Sequence, residues 1–256
     1  MGKVLLEVCV DSCESARAAI AGGAERLELC SALSEGGLTP SPGLLYVVKQ
    51  TFRSIPAFVM LRPRRGDFCY EEDWYQIHHD IDLFKKEGAD GFVFGALTPA
   101  GEIDEDLCAR VIRLAGGLPV TFHRAFDLTK EVDFMKNCSK IANLGFTRLL
   151  TSGFRSSAEE GIDVIRVMNE KFGEKLTIMP GAGITEENIR KIADETKCRE
   201  IHASARRPKN QEQMRISMGG NVADKEPQMV TSSDVVRQMV LNLLQHKFPP
   251  QHVICH

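Results

Sequence analysis

Short, β-rich apolar runs recur along the whole of this 256-residue chain, and their spacing limits the available folds more than any other feature. They are read at residues 5–10, 26–30, 57–62, 91–94, 119–123, 148–151, 176–179 and 200–202, with starts 21 to 34 residues apart. Each gap has room for one helix and two loops. Helix-start signals fall where the gaps need them. Asp11 and Glu14 form a capping-box pattern ahead of a helix ending at Ala21. Ser41-Pro42 puts proline in a first helical turn, and Thr185-Glu186-Glu187 places acids at another helix start. Strand then helix, eight times over, predicts a parallel sheet, because parallel strands need a crossover between them.

The connections alternate. The runs at 26, 91 and 148 follow the helix-stopping glycines Gly23, Gly88 and Gly145, whereas those at 57 and 119 follow or begin with Pro56 and Pro119. Glycine supplies a left-handed helix stop and proline forbids continuation. The pattern reads as a repeated βαβα unit of about 60 residues. Eight strands in about 250 residues are best satisfied by a single closed (β/α)8 barrel of the TIM type, with an open doubly wound sheet as the alternative. The barrel domain is expected over 1–247. A long polar loop at 206–233, of the kind that serves as a lid, precedes a last helix at 234–246. Residues 248–256 are expected to be a flexible tail.

Charge and cysteine content restrict the partners. Thirty-two basic against 35 acidic residues give a net charge of −3 without basic blocks, which excludes nucleic acid and anionic membranes as main partners. No apolar stretch approaches the ~18 residues of a membrane span. The N-terminus has no secretory layout, so the 8 cysteines are expected as free thiols in a reducing cytoplasm. Walker, zincin, nucleophile-elbow, paired Cys-x-x-Cys and dinucleotide motifs are all missing.

Strand alternation in a barrel points an unusual set of side chains inward: Glu7 and Cys9, Glu28 and Cys30, then Arg62, Thr121, His123, His202 and Ser204. Two readings compete. In the first, Glu7, Glu28 and His123 are acid–base groups of an enzyme acting on a small anionic ligand bearing phosphate or carboxylate. Arg62 and Arg64 then bind its charge, with Ser152, Gly181, Gly183, His202 and Ser204 as further contacts. The plain alternative is a structural ion cluster in which Arg62 neutralises Glu7 and Glu28. In the second, the doubled Glu-x-Cys brings Cys9 and Cys30 onto neighbouring strands, where two thiolates suit Cu(I). Its plain alternative is two small core residues. Met214, Met218, Met229, His78, His79, His252, Cys255 and His256 are given no role.

Several stretches are long enough to be specific. Leu6-Glu7-Val8-Cys9-Val10-Asp11, Glu25-Arg26-Leu27-Glu28-Leu29-Cys30, Ser34-Glu35-Gly36-Gly37-Leu38-Thr39-Pro40-Ser41 and Arg62-Pro63-Arg64-Arg65-Gly66-Asp67-Phe68 are four of them. Thr121-Phe122-His123-Arg124-Ala125-Phe126-Asp127, Leu150-Thr151-Ser152-Gly153, Met179-Pro180-Gly181-Ala182-Gly183-Ile184 and His202-Ala203-Ser204-Ala205 continue the series. Together they resemble the CutC copper-homeostasis family over residues 4–245, with Ala182 standing where glycine is usual. The resemblance implies a (β/α)8 barrel that self-associates into dimers or tetramers. It implies a cytosolic location, with nuclear residence left open, and Cu(I) held by the cysteines that match Cys9 and Cys30. It attaches no catalytic activity, so a catalytically silent barrel is a third reading beside copper binding and an enzyme.

Overall fold

A computed structural model describes residues 3–209 and 227–244. Met214, Met218, His252, Cys255, His256, most of the long loop and the 248–256 tail lie outside the described residues. Eight strands alternate with eight helices: β1 Leu5–Val10, α1 Cys13–Gly22, β2 Arg26–Leu29, α2 Pro42–Thr51, β3 Ala57–Met60, α3 Trp74–Lys86, β4 Gly91–Phe94 and α4 Glu105–Ala115. There follow β5 Val120–Phe122, α5 Phe134–Leu144, β6 Arg148–Thr151, α6 Ile162–Phe172, β7 Thr177–Pro180, α7 Ile189–Thr196, β8 Glu200–Ala203 and α8 Ser233–Leu244. All pairings among these strands are parallel, in the order β7-β6-β5-β4-β3-β2-β1-β8. The ends of β7 and β8 meet to complete the ring, since a Cβ built on Gly181 would lie 3.4 Å from that of His202. The expected barrel is the observed one. No helix among the described residues is long and apolar enough to cross a membrane.

Local chemistry sets the ends of the elements. Gly23, Gly88 and Gly145 carry φ of +102°, +87° and +99°, the left-handed conformation that stops a helix and that a Cβ disfavours. Ser41 caps α2 with Pro42 in its first turn, as the sequence suggests. Two expected starts move. Ser12, not Asp11, caps α1, accepting the Ser15 N–H at 3.1 Å. The turn from Thr185 to Asn188 closes on itself before α7, with the Thr185 N–H donating to Asn188 Oδ1 at 2.8 Å. The long loop also has a folded base, for Arg206–Pro208 (β9) pairs antiparallel with Met229–Thr231 (β10).

Outward strand residues such as Val8, Leu27, Val59 and Ile201 are buried beneath the helices in the main core. The barrel interior divides into two sides. Cys30, Phe58, Met60 and Val93 form a separate apolar cluster on β2, β3 and β4. Facing it is a charged floor. Arg26 pairs with both Glu7 and Glu200, and Arg148 Nε donates to Glu200 at 2.8 Å. Both guanidinium groups lie over the Phe58 ring, at 5.0 and 5.1 Å.

Two predictions follow from this architecture. Replacing Arg26 by Met leaves Glu7 and Glu200 short of a cation in a buried layer, and is expected to cost about 3–5 kcal/mol in chemical denaturation. Ala182 sits at φ +82° in the β7–α7 loop. Ala182→Gly is therefore expected to raise stability by up to about 1 kcal/mol, the left-handed strain outweighing glycine's unfolded-state entropy.

Candidate functional site

The upper half of the barrel encloses a cavity of about 500 Å³ lined by the ends of β1, β2, β3, β5 and β8 and the loops that follow them. Its wall includes Cys9, Glu28, Arg62, His123, His202 and Ser204, all expected inward, together with Gly183. Below it lies Glu7, fully buried. Burial alone would raise the Glu7 pKa. The Arg26 guanidinium and the His202 imidazole outweigh that effect and hold it at about 2.

Strand stagger decides which of the doubled residues meet. Residues Glu7 and Cys9 of β1 stand level with Arg26 and Glu28 of β2, so the two Glu-x-Cys motifs are offset by one pleat. Glu7 therefore lies beside Arg26 and His202 rather than beside Glu28. Cys9 lies beside Glu28, with Cys30 one pleat higher. The result is a cluster in which donor atoms of Cys9, Glu28 and His202 lie within 4.8 Å of one another. The Cys30 thiol donates to Glu28 Oε2 at 3.3 Å.

His202 organises this cluster. Its Nδ1 is 2.7 Å from Glu7 Oε1 and its Nε2 is 3.8 Å from Glu28 Oε2. Burial disfavours the imidazolium, but Glu28, Cys9 and Glu7 push its pKa well above the ordinary histidine value. Burial raises Glu28, with His202 opposing, and burial followed by Glu28 and Cys9 raises the Cys30 thiol. His202 therefore stands between two carboxyl groups, hydrogen-bonded to Glu7 and within 4 Å of Glu28.

The opposite wall differs. Arg62 does not neutralise the two glutamates, as the ion-cluster reading expected. Its Nη1 donates to the carbonyls of Glu35 and Gly37 at 2.7 and 2.9 Å, while its buried Nε has no hydrogen-bond partner among the described residues. His123 Nδ1 accepts the Ala125 N–H at 3.3 Å, and Nε2 has no partner among the described residues. Burial and then the Arg62 charge hold His123 down at about 3. A neutral ring whose Nδ1 accepts must carry its proton on Nε2, so His123 offers an unused N–H donor.

Three other expected contacts, and the inward-facing Thr121, lie elsewhere. Arg64 is half-exposed and engaged by Asp67, Asp73 and the Cys69 carbonyl, outside the cavity lining. Ser152 is buried, its hydroxyl bonded to Asp127, Arg124 and the Arg155 carbonyl. The Gly181 N–H is committed to the Thr151 carbonyl at 3.0 Å. Thr121 Oγ1 is buried without a partner but is absent from the lining. Residues that sequence reading passed over are Arg26, Arg148 and Glu200 in the floor and Arg124, Asp127 and Arg206 at the mouth. Alternation held the signal for Arg26 and Glu200, each two residues before an inward residue. Asp127 holds Arg124 at the rim, accepting its Nε–H at 3.0 Å and the Ser152 N–H at 3.0 Å.

The CutC family model matches residues 4–207, an interval that contains every residue of this cavity. The chain belongs to the CutC family. It is 46% identical over 246 residues to the copper homeostasis protein cutC homolog of Drosophila melanogaster, covering 93% of each chain. To the Homo sapiens copper homeostasis protein cutC homolog it is 45% identical over 245 residues, covering 94% of this chain and 88% of that one. The crystal structure of a CutC protein from Streptococcus agalactiae superposes with a TM-score of 0.75 at 32% identity, covering 78% of this chain and 98% of that one. A Thermotoga maritima phosphoribosylanthranilate isomerase shares the fold, at 14% identity over 94% of this chain and 98% of that one, with a TM-score of 0.56.

For this CutC chain the buried histidines make opposite statements about pH. The folded His123 resists protonation until about 3, whereas the unfolded ring titrates near 6.5. Its stability contribution is complete above that value and falls as pH drops. His202 adds an opposite slope that fades as the unfolded ring fills with protons below 6.5, and the Glu7 window opens only near 4.5, so the difference between wild type and variant isolates His123. Urea denaturation between pH 6.5 and 5 is expected to show a stability slope flattened by up to one proton in His123→Gln, about 1.4 kcal/mol per pH unit. An unchanged slope would mean that His123 is protonated in the fold.

Proposed function

We propose that this protein serves copper homeostasis by taking up Cu(I) at the Cys9 side of the barrel cavity. The observation that carries the reading is the convergence of Cys9, Glu28 and His202 on one buried point, with the Cys30 thiol next to it. The names of the fly and human relatives point the same way.

The donor chemistry fits. Thiolate and imidazole are soft and borderline ligands suited to Cu(I), whereas a carboxylate is a poor one. Cys9 is the anchoring ligand, and His202 Nε2 or the Cys30 thiolate completes a low-coordinate site. Glu7 on the far ring nitrogen of His202 fixes the ring's orientation, as carboxylates do behind metal-binding histidines. Glu28 takes the part of proton acceptor, since a thiol must lose its proton to bind metal and Cys30 already donates to this carboxylate. A reducing cytosolic setting suits the seven described cysteines, all of which are free.

An anaerobic Cu(I) competition titration against a calibrated chelator tests this. One tight equivalent per chain is expected, lost in Cys9→Ser. Cys30→Ser and His202→Gln then identify the second ligand by which of them weakens binding. Affinity is expected to rise with pH, by about tenfold per unit for each proton displaced from the imidazolium and the thiol. Equal affinity in the wild type and in Cys9→Ser/Cys30→Ser would remove the cavity from copper handling.

A further inference from the structure

Charge inside the barrel is not matched evenly. In the floor, Arg26 and Arg148 are answered by Glu7 and Glu200. Arg62 is left over. It is buried, and no carboxylate among the described residues lies within salt-bridge distance of its guanidinium. Instead it contacts two backbone carbonyls, the face of Phe68 at 4.9 Å and the Tyr70 phenol, which burial keeps neutral with a pKa pushed up to about 12, and none of these supplies a full negative charge. At the mouth the same accounting repeats. Arg124 is matched by Asp127, while Arg206 lines the cavity with a buried Nε that has no partner among the described residues.

Unmatched charge coincides with unmatched hydrogen bonding. Among the described residues, neither Arg62 Nε–H nor His123 Nε2–H has an acceptor at hydrogen-bonding distance, and both residues line the same cavity. Buried donors in native proteins are normally satisfied, so two together beside an unpaired cation mark a place for an acceptor that carries negative charge. We propose that the cavity binds a small organic dianion, a short dicarboxylate or a phosphomonoester, with one acid group held by Arg62 and His123 and the second charge met by Arg206. A volume of about 500 Å³ admits a ligand of that size. The charge is set by the two unmatched arginines, and the position by the two orphaned donors. Its anchoring pair, Arg62 and His123, stands beyond β3 and β5 and not on the Cys9 strand, and the site does not depend on copper.

Isothermal titration calorimetry on metal-free protein, with malonate, succinate and glycerol 3-phosphate as probes and acetate as the singly charged control, tests the proposal. Saturable one-to-one binding of at least one dianion, at least about tenfold tighter than acetate, is expected. Dicarboxylate binding without glycerol 3-phosphate binding, or the reverse, identifies the acid. Arg206→Gln at the rim and Arg62→Met in the wall are each expected to weaken that binding about tenfold or more, and Cys9→Ser to leave it unchanged. Arg206→Gln keeps the test informative should Arg62→Met disturb the carbonyls it supports. No dianion binding above acetate, or binding indifferent to Arg206→Gln, overturns the proposal. Loss in Cys9→Ser overturns its independence from the thiol wall.

Discussion

The interior of this barrel is organised around one buried contact, the pairing of Arg26 with Glu7. A carboxylate with no solvent exposure is tolerable only if its charge is answered at once, because the desolvation cost of an isolated ion is many kcal/mol. Arg26 answers it with one edge of its fork and uses the other for Glu200, which Arg148 then shares. Four strands are thereby tied together from within. The remaining Glu7 oxygen is free to hold His202 Nδ1, so the same contact that steadies the floor also aims the ring above it. Geometry at the cavity floor is inherited from this network.

Much of this was legible in the sequence because strand alternation is a strict rule. Once the strand at 5–10 is accepted, Glu7 and Cys9 must share a face, and the same holds for Glu28 and Cys30. What alternation cannot supply is the offset between strands. The doubled Glu-x-Cys suggests side-by-side pairs, but barrel closure requires a stagger, and here it sets Cys9 against Glu28 and Glu7 against Arg26. That single shift replaces the expected Glu7–Arg62 compensation with the Glu7–Arg26 pair and leaves Arg62 to the backbone of the Gly36-Gly37 loop. Arg26 was hidden because it opens its strand, where an arginine reads as a solvated end. Its burial depends on the far side of the ring, on Glu200 and Phe58, which sequence order does not bring near.

Loop chemistry was less legible for a related reason. Ser152 and Gly181 looked like spare donors because small residues after strands often are. Their hydrogen bonds are instead consumed within the fold, Ser152 by Asp127 and Arg124 and Gly181 by Thr151. Donor availability is a property of the whole hydrogen-bond network, whereas residue type only states capacity.

The two walls of the cavity differ in what they lack. On the Cys9 side the acid–base groups are crowded, with an imidazole, a carboxyl group and two cysteines within a few ångströms. An incoming cation there must displace protons, and the nearby carboxylate gives them somewhere to go. On the Arg62 side charge is in excess and donors are idle, while the apolar cluster of Phe58, Met60 and Val93 completes the interior and offers no counter-charge. A positive group beside such a surface is screened less than one in water, so its field reaches further into the cavity. Burial, and then that field, lower the proton affinity of His123 and keep it a neutral donor. Arg62 thus acts twice in the same cavity, once as the unmatched charge and once by adding to the burial that keeps the ring beside it neutral.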